Sequence, residues 1–379
     1  MVPEGWRFER LGKVAEFQRG FDLPSKHRVE GNIPIISSSG VSGFHNEAKV
    51  QAPGVVTGRY GSIGSVFYVD RDFWPLNTAL WVKNFQGNYP LFIYYLLSKF
   101  DFKKFSDKTG VPGVNRNDLH AVKVFCPPLM EQKKIAQILS TWDKAITTAE
   151  QLLANSQQQK KALMQQLLTG KKRMLDENGV RFSGEWSKIA IGKLIKEIRK
   201  EKESTPNAIE LLTVKLHYKG VAKTGKFPNA TERGRPYFKR FAGELIVGRQ
   251  NLHNGGVAIV SEECNGLIAS NAISSFDARS GFDIRFILSL MSTEHFRFTV
   301  DNLAGGTGQK EIGLKTLLSL SVVVPNFQEQ QKIATVLSVA DQEITILRQK
   351  LDSLKQEKKA LMQQLLTGKR RVKVDEEAA

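Results

Sequence analysis

Two stretches of the chain carry a hydrophobic pattern that suits a long helix with a partner. In residues 325–372, Leu337, Ile344, Leu351, Lys358 and Leu365 recur every seven residues, and Ala340, Leu347, Leu354 and Leu361 form a second row. The steps alternate three and four, as in the seam of a coiled coil. Residues 127–174 keep the same register, with Leu139, Ile146, Leu153, Lys160 and Leu167 in one row and Trp142, Ala149, Ser156 and Leu163 in the other. Pro128 and Pro325 stand before the starts, and Gly170 and Gly368 follow the ends, where a left-handed cap is wanted. Lys171, Lys172 and Arg173, and Lys369, Arg370 and Arg371, then suit the negative end of a helix dipole. Each arm, some 38 residues at 1.5 Å rise, would be about 57 Å long. A polar helix of that kind is marginal alone, so each arm needs a partner, and the other arm carries the same seam. Antiparallel pairing is favoured, because a parallel pair would force the intervening segment to bridge a full arm length. A generic dimerisation coiled coil has the same seam but does not account for what precedes each arm.

What precedes each arm is a lobe of mixed α/β pattern. Short apolar runs bounded by turn residues predict strands at 33–39, 54–58 and 64–69 in the first lobe and at 209–215, 243–248 and 255–260 in the second. A helical run follows in each (90–100 and 283–291), and then an apolar strand leads into the arm (122–128 and 320–326). Phe92, Tyr94 and Tyr95 are placed in the core. The expected fold class is α+β: two globular lobes separated by two long antiparallel helices with pseudo-two-fold symmetry.

The two arms align without a gap at an offset of 198, with about 27 of 48 positions identical, and KALMQQLLTGK at 161–171 recurs unchanged at 359–369. The chain is therefore an internal duplication. The repeat extends weakly into the lobes: Thr109-Gly110 matches Thr307-Gly308, Leu119 matches Leu317, Trp6 aligns with Trp186, and Gly12-Lys13 with Gly192-Lys193. The segmentation is 1–126 for the first lobe, 127–174 for the first arm, 175–324 for the second lobe, 325–372 for the second arm and 373–379 for the tail.

Composition sharpens this picture. The 379 residues carry a formal net charge of +17. The excess is +5 in each lobe, +5 in the first arm and +2 in the remaining 325–379, so it is not confined to a tail. Two basic lobes favour a polyanionic partner. Cys126 and Cys264 are far apart, with no metal-ligand spacing, and are expected to be buried free thiols. The first residues, MVPEGWRFERLGK, lack the apolar core of a signal peptide, and no stretch approaches the roughly 18 apolar residues of a membrane span. A cytoplasmic protein with no membrane partner is expected.

A lobe, a P-x-x-x-EQ-x-K-I-A helix ending in KALMQQLLTGK, and then a second lobe and second helix resemble the specificity subunit of type I restriction–modification enzymes over nearly the whole chain. The resemblance implies that the lobes are target recognition domains, each reading one half of a split double-stranded DNA site. It implies that the arms act as spacer and as docking surface for two methyltransferase subunits, with restriction subunits joining the assembly. The half-sites should lie about one helical turn apart on one face of the duplex. The chain itself should be non-catalytic and hold no cofactor or metal, with S-adenosylmethionine expected on the methyltransferase subunits. In agreement, no nucleotide-binding glycine loop, [DN]PP[FY] tetrapeptide or nuclease-like carboxylate cluster occurs in the sequence. The competing class is a non-catalytic basic coiled-coil scaffold for RNA or proteins.

Candidate DNA contacts follow from side-chain chemistry. Arg59 and Tyr60 lie in TGRYGSIG, where Arg59 could reach a guanine edge or a phosphate, unless the segment is an ordinary polar turn. The matching feature of the second lobe is Gly248-Arg249-Gln250-Asn251, and Arg, Gln and Asn are the side chains that make two-point contacts with G and A. Arg233 and Arg235, with Tyr237, Lys239 and Arg240, form a basic run that is either a phosphate contact or a solvated loop. Asn115 and Arg116 in the first lobe, and Gln309 and Lys310 in the second, precede the exit strands at equivalent places. Ser38 in SSSG could bond to DNA or simply form a turn.

Overall fold

The seam written in the sequence is the seam the helices bury. The computed structural model describes residues 2–105, 113–231, 233–304 and 310–374, and within them each arm is one unbroken helix of 39 residues, Leu129–Leu167 and Phe327–Leu365. Along both, the rows at Leu139, Ile146, Leu153, Lys160 and Leu167 and at Leu337, Ile344, Leu351, Lys358 and Leu365 are buried or half-buried, while most positions between them are exposed. The second rows, including Leu163, Leu354 and Leu361, are likewise withdrawn from solvent. Gly170 and Gly368 take the left-handed cap conformation, at φ 70° and 68°.

By its contacts the chain divides into two compact units, residues 1–151 with 348–379, and residues 152–347. Each holds one lobe together with part of each arm. In the first unit Asp143 pairs with Lys358, and Glu150 with Lys355 at 2.7 Å. In the second, Ser156 donates to Glu343 at 3.1 Å, and Lys160 pairs with Asp341 at 2.5 Å. In both units the partner number falls as the position along the first arm rises, so the arm segments run antiparallel. Adding 198 to Asp143 and subtracting it from Lys358 gives Asp341 and Lys160, so these two ion pairs are copies of one another. The lysine that interrupts each apolar row is therefore answered by an aspartate of the facing helix, a device that fixes register.

The lobes repeat a common frame. In the first unit an antiparallel four-stranded sheet has the order Glu16–Arg19, Ala79–Asn84, Gly54–Gly58, Val66–Val69. In the second the equivalent order is Ile195–Glu197, Ile273–Ala278, Leu245–Gly248, Val257–Ile259. A helix follows the last of these strands in each lobe, Pro90–Ser98 or Ile284–Met291. The exit strand pairs antiparallel with the first strand of its lobe, Lys123–Cys126 with Arg7–Arg10 and Ser321–Val324 with Ser187–Ala190. The short helices Arg116–Ala121 and Leu314–Ser319 precede the exit strands. Differences lie outside this frame. The first lobe adds a three-stranded sheet (Gly40–His45, Ile33–Ser37, Trp74–Pro75), and the second adds two strand pairs and the helix Glu294–Leu303.

The core of each lobe takes in the start of one arm and the end of the other. In the first unit Phe17, Leu80, Phe92, Ile93 and Leu97 pack with Ile135, Ala136 and Leu139, and with Leu365 and Leu366. In the second, Leu194, Phe276, Phe286 and Ile287 pack with Ile333, Ala334 and Leu337, and with Leu167 and Leu168. Phe92 and Tyr95 lie in the first core, as the sequence suggested, with Tyr94 packed against it. Tyr95 also donates its hydroxyl to Asp143 at 2.6 Å, so the lobe helix is tied to the seam ion pair. Both cysteines are buried and unpaired with one another, and burial pushes the Cys126 thiol up from its usual range.

The basic residues after each arm do more than complement a dipole. Arg371 forms a two-point pair with Glu131 (2.5 and 2.9 Å) and lies over the Trp6 ring, and Arg173 forms the same pair with Glu329 (2.6 and 2.9 Å) beside Trp186. The adjoining Gln132 and Gln330, almost fully buried, accept from the main-chain N–H of Tyr89 and Asp283 at the starts of the lobe helices. They also donate to the carbonyls of Pro127 and Pro325. The repeated Glu-Gln pair thus clamps the start of one arm, the lobe helix and the segment that follows the other arm together in each unit.

Candidate nucleic-acid interface

In the first lobe, strand Gly54–Gly58 ends at Arg59. The Arg59 N–H donates to the Thr78 carbonyl (2.9 Å), its own carbonyl accepts from Val114 (2.8 Å), and its guanidinium reaches the Asn77 carbonyl (3.4 Å). The guanidinium also lies over the Tyr60 ring, 4.3 Å from the centroid, and donates to the tyrosine hydroxyl. Tyr60 is 43% exposed and bridges to Gly113, where an added Cβ would fall 2.5 Å from the ring. The fold therefore brings Arg59 and Tyr60 together with the segment that carries Asn115 and Arg116. Arg116 is exposed. Asn115 caps the following helix by accepting from the Asn117 N–H at 2.9 Å, a local role that accounts for an asparagine there without DNA. Ser38 is only 9% exposed, and its Cβ would lie 3.3 Å from a Cβ added at Gly58, so it packs beside the strand end that carries Arg59.

In the second lobe, strand Leu245–Gly248 ends at Arg249, held in the same way. Its N–H donates to Ala272 (3.3 Å), its carbonyl accepts from Ile312 (3.4 Å), and its guanidinium reaches the Asn271 carbonyl (3.4 Å). Arg249 also pairs with Glu311 at 3.4 Å. Half-buried Gln250 and exposed Asn251 follow in a turn of 3-10 helix, Arg249–Asn254. Lys310 stands next to Glu311 and pairs with Asp301 at 2.8 Å, which holds that carboxyl below its usual range. Gln309 lies outside the described residues.

The basic run after residue 230 is only partly available. Arg233 and Arg235 are exposed, and Arg235 lines an open cleft of about 530 Å³ with Lys202, Thr205, Asn207 and Tyr237. Lys239 pairs with Glu203 at 3.0 Å. Arg240, by contrast, is buried and donates to Ser275 Oγ (2.9 Å) and to the carbonyls of Ile273 (2.7 Å) and Ser270 (3.2 Å). It is a structural cation that ties strands together, and burial depresses its pKa to about 10. The sequence placed it in a phosphate-binding run because a buried and an exposed arginine read alike in a linear chain.

Sequence reasoning passed over Asn77 and Asn271. Once Gly58-Arg59 is matched to Gly248-Arg249, the signal is visible as Asn77-Thr78 and Asn271-Ala272 in the turn just before the neighbouring strand of each lobe. Arranged this way, the loops offer hydrogen-bond donors, amide groups and one stacked aromatic. Among the described residues no group of three or more His, Cys, Asp or Glu side chains is placed to share a metal ion, and no helix is long and apolar enough to cross a membrane.

The family model for the type I restriction modification DNA specificity domain matches twice, over residues 3–155 and 190–356. The type I restriction enzyme MjaVIII specificity subunit of Methanocaldococcus jannaschii is 27% identical over 98% of this chain and 94% of its own length. The putative MjaX specificity subunit of the same organism is 29% identical over 75% of this chain and 69% of its own. Among solved structures, the S subunit of the type I restriction–modification system from M. genitalium superposes with a TM-score of 0.65 at 15% identity, covering 95% of this chain and 96% of that one. A chain from a structure of the assembly and conformational transition of the type I R-M system gives 0.51 at 16% identity, with 98% and 100% covered. These likenesses show a shared fold. With the family model matched in both halves and nearly the full length aligned to a curated relative, the chain belongs to the type I restriction–modification DNA specificity family, whose members recognise DNA sequence.

Proposed function

We propose that this chain reads a bipartite double-stranded DNA site, with one lobe on each half, as the non-catalytic specificity subunit of a type I restriction–modification assembly. The paired arms fix the unread spacer between the halves and offer docking faces to two methyltransferase subunits, and restriction subunits join that core. S-adenosylmethionine and the chemistry of methyl transfer belong to the methyltransferase subunits, which would take an adenine out of the stack in each half-site. The observation that carries this reading is the duplication at the level of geometry. Two lobes with the same frame present the same Gly-Arg strand end, with different side chains around it. A duplicated reader with divergent loops suits a ligand whose two halves share a backbone and differ in bases.

The test is a lobe exchange. Residues 175–324 are replaced by the corresponding lobe of a relative, and methylated adenines are mapped across a host genome carrying the methyltransferase partner. One half of the methylated motif should change while the other half and the spacer persist. A change in both halves would refute separate reading, and loss of all site-specific methylation by a chain that still folds and assembles would refute the assignment.

A further inference from the structure

Two lobes that differ in almost every loop hold one cation at one place. Arg59 and Arg249 follow the last glycine of equivalent strands and are anchored by the same three contacts, to Thr78 or Ala272, to Val114 or Ile312, and to Asn77 or Asn271. What surrounds them is different. Tyr60 stacks on Arg59 against Gly113, whereas Arg249 is followed by Gln250 and Asn251 and pairs with Glu311 at the position equivalent to Gly113.

We infer that Arg59 and Arg249 each bind a backbone phosphate of their half-site, and that the residues after them, Tyr60 in one lobe and Gln250 with Asn251 in the other, meet the base edges. This rests on the reading of the lobes as DNA readers and goes beyond it by dividing the labour between neighbouring residues. The base sequence changes from one half-site to the other, but the phosphodiester geometry does not. A side chain kept in place while its neighbours change therefore matches the constant part of the ligand. The contact to the main-chain carbonyl of Asn77 or Asn271 orients each guanidinium without neutralising it, leaving other N–H groups for phosphate oxygens. In the second lobe the phosphate competes with half-exposed Glu311 for the same cation.

The test uses the full-length chain and a pool of randomised DNA duplexes. The enriched motif is sequenced for each variant, and affinity for a duplex of the native chain's motif is measured over a range of salt. Arg59→Gln and Arg249→Gln should each lower affinity about three- to tenfold and reduce the slope of log affinity against log salt by about one, leaving the motif unchanged. Arg59→Lys and Arg249→Lys should recover most of the affinity, which also separates the effect from misfolding. Tyr60→Ala and Gln250→Ala should each relax one half of the motif with little change in slope. A Gln variant that loses preference at a single base position with its slope intact, or a Lys variant as poor as its Gln counterpart, overturns the assignment of phosphate contact. A native chain that enriches no split motif overturns the reading of the lobes, and the assignment with it.

Discussion

At the scale of single residues, one histidine gives the first lobe a titratable contact where the second lobe has a leucine. His120 sits on the short helix before the exit strand, and its Nε2 accepts from the Phe17 N–H at 2.8 Å. Burial, reinforced by Arg116, lowers its pKa in the fold, with Glu16 opposing. The equivalent position of the second lobe is Leu318, packed against Gly192 as His120 is against Gly12. Because the folded pKa lies below the unfolded value of about 6.5, the neutral ring stabilises the fold fully above that value. The contribution is lost as pH falls through the folded pKa, where protonation also removes the acceptor for Phe17. Hydrogen exchange at the Phe17 amide should therefore quicken on acidification relative to amides of the strand Ile195–Glu197, once intrinsic rates are divided out. His120→Leu should flatten the acid limb of unfolding of the first unit, and an unchanged limb would show that another group governs it.

At the scale of elements, the repeated clamps that hold lobe to arm are unequally buried. Glu329 is wholly buried against an Arg173 side chain that is 19% exposed, whereas Glu131, which also accepts from the Trp6 indole N–H, is 8% exposed against an Arg371 that is 43% exposed. Removing the cation from a buried pair leaves a carboxylate without compensation, at about 3 kcal/mol or more when solvent is excluded. Arg173→Ala should thus destabilise the second unit by roughly that amount, while Arg371→Ala should cost the first unit about 1 kcal/mol, nearer the range of exposed pairs. Denaturant unfolding of each variant measures both, and equal losses would contradict the role given to burial. The arms themselves were legible in the sequence, down to the rows they bury, because a heptad seam is a local pattern repeated many times. The Glu-Gln pair was equally visible as a repeat, yet its role was not. Its partners lie at the far end of the other arm and at the start of a lobe helix, separations that no local period encodes. The lobes fall between these cases. Strands such as Gly54–Gly58 and Leu245–Gly248 and the helices Pro90–Ser98 and Ile284–Met291 showed as apolar runs. The strands Ala79–Asn84 and Ile273–Ala278, the six-residue helices before the exit strands and the more polar helix Glu294–Leu303 were less legible, since their apolar residues form only short or interrupted runs.

At the scale of the whole chain, duplication is what joins the account together. One frame, one strand-end arginine, one seam ion pair and one clamp each occur twice, at offsets that grow from 180 near the lobe starts to 198 in the arms. The growth in offset marks where the second lobe has gained residues, including the interval that holds the helix Glu294–Leu303, while the shared frame and the arms are kept. Candidate DNA contacts such as Arg59 and Arg249 could be picked out because their chemistry and matching place were both in the sequence. Separating them from buried Arg240 required the fold. The central claim is that the arms determine the length of the unread spacer and the lobes determine the bases. It is tested most directly by inserting one heptad into each arm at equivalent places, after Leu153 and after Leu351, so that the seam stays in register. Seven residues add about 10.5 Å of helix, or about three base pairs of duplex. Mapping the methylated adenines made with this variant should show both half-sites unchanged and the spacer longer by about three base pairs; a spacer of the original length, or altered half-sites around it, would contradict the account.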